Sequence, residues 1–347
     1  MQTLQTIGVD LAKNVIQASV VTKNNKEILN KKFSRNQFSV FLAKQKVSLV
    51  AFEACATAHY WARYAKRFGH QVKILPALAV APYRQGHKTD KNDALAVAEC
   101  AVRPNIKEAP MKSAEQQGLQ SVQRSREFLV QERTALSNHI RSLLMEFGII
   151  IKQGFSALHQ SVPLALEDGE SELPDLYRPV LDLMFTRLCV LEQDIKSLDQ
   201  HIKALVKQNV ACHELTSIEG VGPISAILLY ATLGSGEAFK SGREFSAYLG
   251  LTPKQYSSGG KTNLVGLSKR IANKRLRSVL IQGARAHIHR SKLAGTPKDK
   301  WLINLIDRAG TGKAAVALAN KNVRIAWALL TKGVEYNRYQ GQQPIAA

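Results

Sequence analysis

The chain has 347 residues, enough for two or three domains with their own cores, and its 48 Lys and Arg against 27 Asp and Glu leave a net charge of +21. Such a surplus points to a polyanionic partner, above all nucleic acid. No run of 18 apolar residues and no charged-then-apolar leader is present, and the four cysteines contain no CxxC pair, so transmembrane, secretory and zinc-finger readings are excluded and a cytoplasmic protein with reduced thiols is expected.

The charge is unevenly spread. From Lys240 to the C-terminus, 20 Lys and Arg face 4 Asp and Glu, a balance of +16. The first 239 residues hold 28 against 23, only +5. The C-terminal third is therefore expected to face the polyanion.

The first strand, Thr6-Ile7-Gly8-Val9-Asp10, lifts one carboxylate to the end of an apolar run. That is a costly place for a lone charge unless it is paired or binds a cation. Residues 5–22 read as strand with a small turn at Lys13-Asn14, Asn24-Asn25 signals a turn, and Glu27–Ser34 reads as the returning strand. Residues 38–44 predict a short helix, and 47–53 a second apolar strand that again ends on a carboxylate, Glu53. Residues 59–68 form an amphipathic helix with Trp61, Tyr64 and Phe68 at helical spacing, followed by a strand at Gln71–Leu75 and a short helix over 77–84. Strand and helix alternating through short connections predict an α/β layer domain.

Next, His87-Lys88-Thr89-Asp90-Lys91-Asn92-Asp93 opens a helix. Thr89 or Asp90 caps it, and Asp90 and Asp93, three apart, share one face of its first turn. The macrodipole alone favours such an acidic start. With two strands ending on Asp10 and Glu53, however, the set has the layout of an RNase H-like nuclease, whose carboxylates hold two divalent cations. Magnesium takes oxygen ligands, and two ions about 4 Å apart stabilise both the attacking and the leaving oxygen of an in-line phosphoryl displacement. Four adjacent carboxylates would repel strongly without cations.

Residues 112–210 differ. Leu119, Val122, Leu129, Leu136, Ile140, Leu143 and Phe147 keep a 3-4 seam, with Arg126 and Arg133 in two of its slots. After an acidic, proline-containing loop at 163–174, Val180, Met184, Leu188, Leu191, Ile195, Leu198, Ile202 and Leu205 continue the seam. Two long helices joined by a loop make an antiparallel coiled-coil hairpin or half of an intermolecular bundle, and a plain helical spacer accounts for the pattern equally well. The seam arginines suit an acidic partner or nucleic acid better than a dry core.

Ile218-Glu219-Gly220-Val221-Gly222-Pro223 is similar to a helix-hairpin-helix turn, whose glycines let backbone N–H groups approach a phosphate. A simple glycine-rich connection is the alternative. Residues 252–262 read as a loop holding Ser257-Ser258-Gly259-Gly260-Lys261-Thr262. Its last three residues look like the end of a phosphate loop, but Gln255 stands in the first glycine position. Gly310-Thr311-Gly312-Lys313 fails too, since Ala314 follows the lysine, so an ATPase is excluded. A serine there is either a turn residue or a nucleophile held where the backbone meets DNA. From Leu267 the chain reads as a basic helix with Lys269, Arg270, Lys274, Arg275, Arg277, Arg285 and Arg290. Most of these, with Lys254 and Lys261 of the serine loop, are phosphate-contact candidates. A closing helix over 314–332 carries an apolar stripe of Val316, Leu318, Val323, Ile325, Trp327, Leu329 and Leu330.

In order, Gly8-Val9-Asp10, Phe52-Glu53-Ala54, Lys88-Thr89-Asp90 through Asp93-Ala94, the Ile218–Pro223 run, and Gly250-Leu251-Thr252-Pro253 through Ser258-Gly259 resemble the DEDD-type insertion-sequence transposases. That family includes the Piv DNA invertases and the recombinases guided by a bridge RNA. The likeness spans nearly the whole chain. It implies a RuvC-like (RNase H-like) domain over 1–110, a coiled-coil helical segment over 111–210, and a mainly helical transposase domain over 211–340. Asp10, Glu53, Asp90 and Asp93 match the four carboxylates that would hold Mg2+ in two-metal fashion. Ser258 matches the family's serine nucleophile, with Ser257 the alternative. Gly220, Gly222 and the cations from Lys254 to Arg277 would contact nucleic acid.

The resemblance further implies double-stranded DNA (element ends and target), a guide RNA, and a homo-oligomer, dimer or tetramer, in the bacterial cytoplasm at the nucleoid. The serine would form a transient phosphoserine link that a strand hydroxyl of the second DNA resolves, the working site combining serine and carboxylates from one subunit or two. Two other readings stay open. One is a RuvC-type metal-dependent junction nuclease in which water attacks and Ser258 is structural. The other is a basic architectural binder whose carboxylates only cap helices.

Overall fold

The computed structural model describes residues 5–24, 26–268, 271, 273–293, 300–334 and 336. Two compact units emerge: residues 1–117 with 232–240 and 268–273, and residues 118–231 with 241–267 and 274–347. In the first, alternating apolar residues build β1 (Thr6–Leu11), β2 (Val15–Val21) and β3 (Glu27–Ser34), followed by α1 (Arg35–Lys44), β4 (Leu49–Glu53), α2 (Ala58–Arg67), β5 (Gln71–Leu75), α3 (Ala77–Val80) and α4 (Asp90–Ala101). The strands lie in the order β3-β2-β1-β4-β5. β2 runs antiparallel to β1 and β3, and β4 runs parallel to β1 and β5. This mixed α/β arrangement is consistent with an RNase H-like domain.

Strand alternation gives the sheet two different faces. Ile7, Val9, Val50 and Phe52 pack with Phe38, Leu42, Trp61 and Ala65 of α1 and α2. On the other face Ala51 packs with Val97, Cys100 and Ala101 of α4. Gly8, Asp10 and Glu53 have the same strand parity as Ala51 and so belong to the α4 face. Gly8 is indispensable there: a Cβ on it would overlap the Ala94 carbonyl oxygen and the Ala98 amide nitrogen, and would lie 2.7 Å from Ala98 Cβ. The glycine thus lets α4 rest directly on β1.

Among its described residues the second unit is helical apart from one hairpin. Its long helices are α5 (Ala114–Glu146, which begins in the first unit) and α7 (Arg178–Gln208), with α6 (Phe155–Glu167) between them. Leu119 and Val122 meet Ile202 and Val206 at one end, and Ile140 and Leu144 meet Leu181 and Leu188 at the other, so α5 and α7 run antiparallel. Three expectations change. The 163–174 loop begins inside α6, which holds Pro163 within it, because Leu158 and Val162 are buried. That burial outweighs the helix bond a proline removes. Leu144 and Leu181 are the fully buried residues where Leu143 and Val180 were expected, since a helix of 3.6 residues per turn drifts from a 3.5-residue seam. The seam arginines find partners within the chain: Arg126 Nε lies 2.5 Å from Asp199 Oδ1, and Arg133 stacks 4.0 Å over Phe155.

Then follow α8 (Val210–Leu215), α9 (Pro223–Leu233), α10 (Gly242–Tyr248), β6 (Pro253–Ser258), β7 (Lys261–Leu267), α11 (Lys274–Leu293), α12 (Lys300–Ala309) and α13 (Thr311–Lys332). The serine segment is a strand hairpin, not a loop, and the basic helix starts at Lys274 rather than Leu267. Gly259 and Gly260, at φ 54° and 78°, form the two-residue turn that positive φ at both positions demands. α13 buries Leu318, Val323 and Leu329 with several alanines, whereas Val316, Ile325, Trp327 and Leu330 are only half-buried. All four cysteines are free, two of them buried and Cys55 exposed. No helix among the described residues is long and apolar enough to cross a membrane.

Candidate active site

Asp10 lies one residue before the end of β1 and Glu53 ends the parallel β4, each one residue beyond the paired Val9 and Phe52, so both carboxylates emerge near the C-terminal ends of these inner strands on the α4 face. Thr89 caps α4 by accepting from the Asn92 amide at 3.3 Å, which sets Asp90 and Asp93 in the first turn. The other three acids lie within electrostatic reach of Asp10. Burial, then Asp93, Asp90 and Glu53, push the Asp10 carboxyl up to about 6, against only the Leu11 amide. Burial and then Asp93 raise Glu53, while Lys88 and Arg84 pull it down.

Two cations flank the cluster. Lys32 Nζ lies 3.3 Å from Asp90 Oδ2 in an exposed pair, and Arg84 Nη1 lies 3.1 Å from Asp93 Oδ1 in a more buried one. Among the described residues no three acids, histidines or cysteines close on a single point. The donor set nonetheless suits a hard divalent cation: it is all carboxylate oxygen, and Asp10 carries an electrostatic load that such an ion relieves.

The remaining described candidates fall in the second unit. Ser258 is the last residue of β6, paired in register with Lys261, and Ser257 is paired with Thr262. Successive strand residues face opposite ways, so Ser257 shares a face with Gln255, whose Nε2 donates to its hydroxyl at 3.0 Å, and Ser258 points to the other side. Both serines are exposed, as is Lys261, and Lys254 is half-buried. Gly220 and Gly222 line an open groove of about 720 Å³ together with Ser225, Arg275, His287 and Arg290. Gly220, at φ +81°, crosses α11 at Gly283 so closely that a Cβ on it would stand 2.9 Å from the Gly283 carbonyl oxygen. Asn322 Nδ2 pins the same turn by donating to the Glu219 carbonyl at 2.7 Å.

Arg275 reaches the groove with a 3.1 Å contact to Glu127, and Lys274 is exposed at the start of α11. Arg277 is directed differently: its Nη1 donates to the Gly250 carbonyl at 3.3 Å, tying α11 to the turn before the hairpin. Lys269 and Arg270 lie outside the described residues.

A transposase family model matches residues 7–149, and one described as the transposase IS116/IS110/IS902 family matches residues 212–298. A probable family 20 transposase of Pseudomonas aeruginosa is 40% identical over 96% of this chain and 98% of its own length. The chain belongs to the IS116/IS110/IS902 family of transposases. The transposase for insertion sequence element IS1111A of Coxiella burnetii is 38% identical to this family member over 97% of the chain and 92% of its own length. A pilin gene-inverting protein of Moraxella lacunata is 25% identical over 80% of this chain and 81% of its own.

Several residues around the candidate sites of this transposase carry no sequence signal. Lys32 and Arg84 reach the carboxylates only through the fold, and Gln17, buried on β2 opposite Asp10, looks like any strand polar residue. His287 lies 3.5 Å from Glu219 beside the groove and stood among ordinary helix positions.

Proposed function

We propose that this DNA transposase cuts and rejoins DNA through Ser258, with Mg2+ ions held by Asp10, Glu53, Asp90 and Asp93, at sites chosen by a guide RNA, and that it works as a dimer or tetramer. The observation that supports the reading most is the load on Asp10, a half-buried carboxylate near the C-terminal end of the central strand, within electrostatic reach of three more acids. When bound, the ions would neutralise charge on the non-bridging phosphate oxygens and on the oxygens that attack and leave.

The chain's own residues do the rest. Ser258 Oγ bonds to the scissile phosphorus as the strand's ester oxygen departs and takes up a proton. A hydroxyl of the second strand then attacks the phosphoserine and releases the serine. One phosphodiester is exchanged for another at each step, so no high-energy cofactor is consumed. Gly220 and Gly222 leave backbone N–H groups accessible beside the groove, and Arg275, Lys274, Lys254 and Lys261 neutralise phosphates. These contacts read backbone rather than bases, which suits an enzyme whose target sequence is read by RNA pairing.

Strand cleavage of a junction-bearing duplex, with matched RNA and Mg2+, tests the carboxylate half of this reading. Asp10→Asn and Glu53→Gln should each lower the rate on the order of a thousandfold while duplex binding persists. Full activity of Asp10→Asn would overturn it and leave a binder whose acids only cap helices.

A further inference from the structure

Four polar side chains on β2 and β3 join into one network that the proposed chemistry does not use. Ser19 Oγ donates to Glu27 Oε1 at 2.7 Å, and Asn30 Nδ2 donates to the same oxygen at 2.5 Å. Gln17 Nε2 donates to Asn30 Oδ1 at 2.5 Å. Asn30 Nδ2 also donates, at 3.1 Å, to the main-chain carbonyl of Lys91, which lies between Asp90 and Asp93 in the first turn of α4. Gln17 is the cross-strand partner of Asp10. Such partners point to the same face with Cβ atoms about 5 Å apart. Gln17 is only 4% exposed, and its Oε1 is buried with no hydrogen-bond partner among the described residues. If it merely filled space, an apolar side chain of similar size would do so at less cost.

We propose that Gln17 and Asn30 are positioning residues for the carboxylate cluster. Gln17 fixes the Asn30 amide, and Asn30 ties the first turn of α4, and so Asp90 and Asp93, to the sheet beside Asp10. The need is electrostatic, because like charges drive that turn away from Asp10. The Lys32–Asp90 pair opposes this weakly, since both groups are exposed and screened by salt. The Asn30–Lys91 bond is uncharged, acts on the main chain, and holds whatever the protonation of the acids. This role rests on the reading of the carboxylates as a cation site.

The test titrates full-length protein with Mn2+ alone, following free Mn2+ by electron paramagnetic resonance, and melts each variant in EDTA. Asp10→Asn serves as the reference for loss of the site. Asn30→Ala and Gln17→Leu should each bind Mn2+ about tenfold more weakly, as partners behind metal ligands generally do. Their melting temperatures in EDTA should stay within about 3 °C of wild type. The Mg2+ concentration for half-maximal cleavage should rise by the same factor, with the rate at saturating Mg2+ retained. Gln17→Leu, an apolar replacement in a buried slot, decides the matter if Asn30→Ala does not fold. Wild-type Mn2+ affinity in the folded variants, with Asp10→Asn unable to bind, would overturn the positioning role. Equal Mn2+ binding by wild type and Asp10→Asn would remove the cation site itself and the positioning role with it.

Discussion

Asp10 concentrates the physics of this protein in one side chain. Burial and the neighbouring acids push its carboxyl up to about 6 from an ordinary 3.8. Protonation therefore favours the folded state, and without metal the protein should lose stability as pH rises from about 4 to about 6. Asp10→Asn removes the cost of that charge. In EDTA at pH 7.5 the variant should be more stable by about 1–2 kcal/mol, a figure already discounted because solvent reaches Asp10. The gap should close below about pH 4. Denaturant unfolding at the two pH values measures it, and a variant less stable than wild type at pH 7.5 would contradict the electrostatic account. As candidates, Asp10 and Glu53 were legible in the sequence because each comes late in an apolar strand, and Asp90 and Asp93 because they open a helix. Asn30 was not, because its contact with Lys91 joins residues 61 apart and only the folded sheet brings them together.

At the scale of elements, two glycines set how closely helices dock. Gly8→Ala would place a methyl group inside the α4 backbone. Since neither backbone is free to retreat, a loss of about 3 kcal/mol or more is expected in thermal or denaturant melts. Gly283→Ala would drive a methyl group into the Gly220 carbonyl oxygen. It should cost about 1–3 kcal/mol and weaken DNA binding by lifting the glycine turn from α11, which a melt and a binding isotherm report separately. The helical seam of α5 and α7 was readable because burial enforces its period. The β6-β7 hairpin was not, because the adjacent glycines and serines read as an open loop, whereas Gly259-Gly260 is a two-residue strand turn. α6 was missed because Pro163 counted against a helix whose apolar face is buried.

Across the whole molecule, the +16 carried from Lys240 onward sets the expectation for DNA binding. Arg275→Ala, Lys254→Ala and Lys261→Ala should each weaken binding of unrelated duplexes alike and lower the slope of log affinity against log salt by about 1. Arg277→Ala should instead lower stability, because that side chain holds the Gly250 carbonyl. The charge asymmetry was plain from composition; which cations face the groove required the helix phase.

The most direct measurement is covalent trapping. Full-length protein, Mg2+, matched RNA and a junction-bearing duplex are incubated, denatured and resolved for protein–DNA adducts, comparing wild type with Ser258→Ala, Ser257→Ala and Asp10→Ala. The account predicts an adduct in wild type and Ser257→Ala, and none in Ser258→Ala or Asp10→Ala. Cleavage without an adduct in any lane, with Ser258→Ala still cutting, would contradict it and make water the nucleophile.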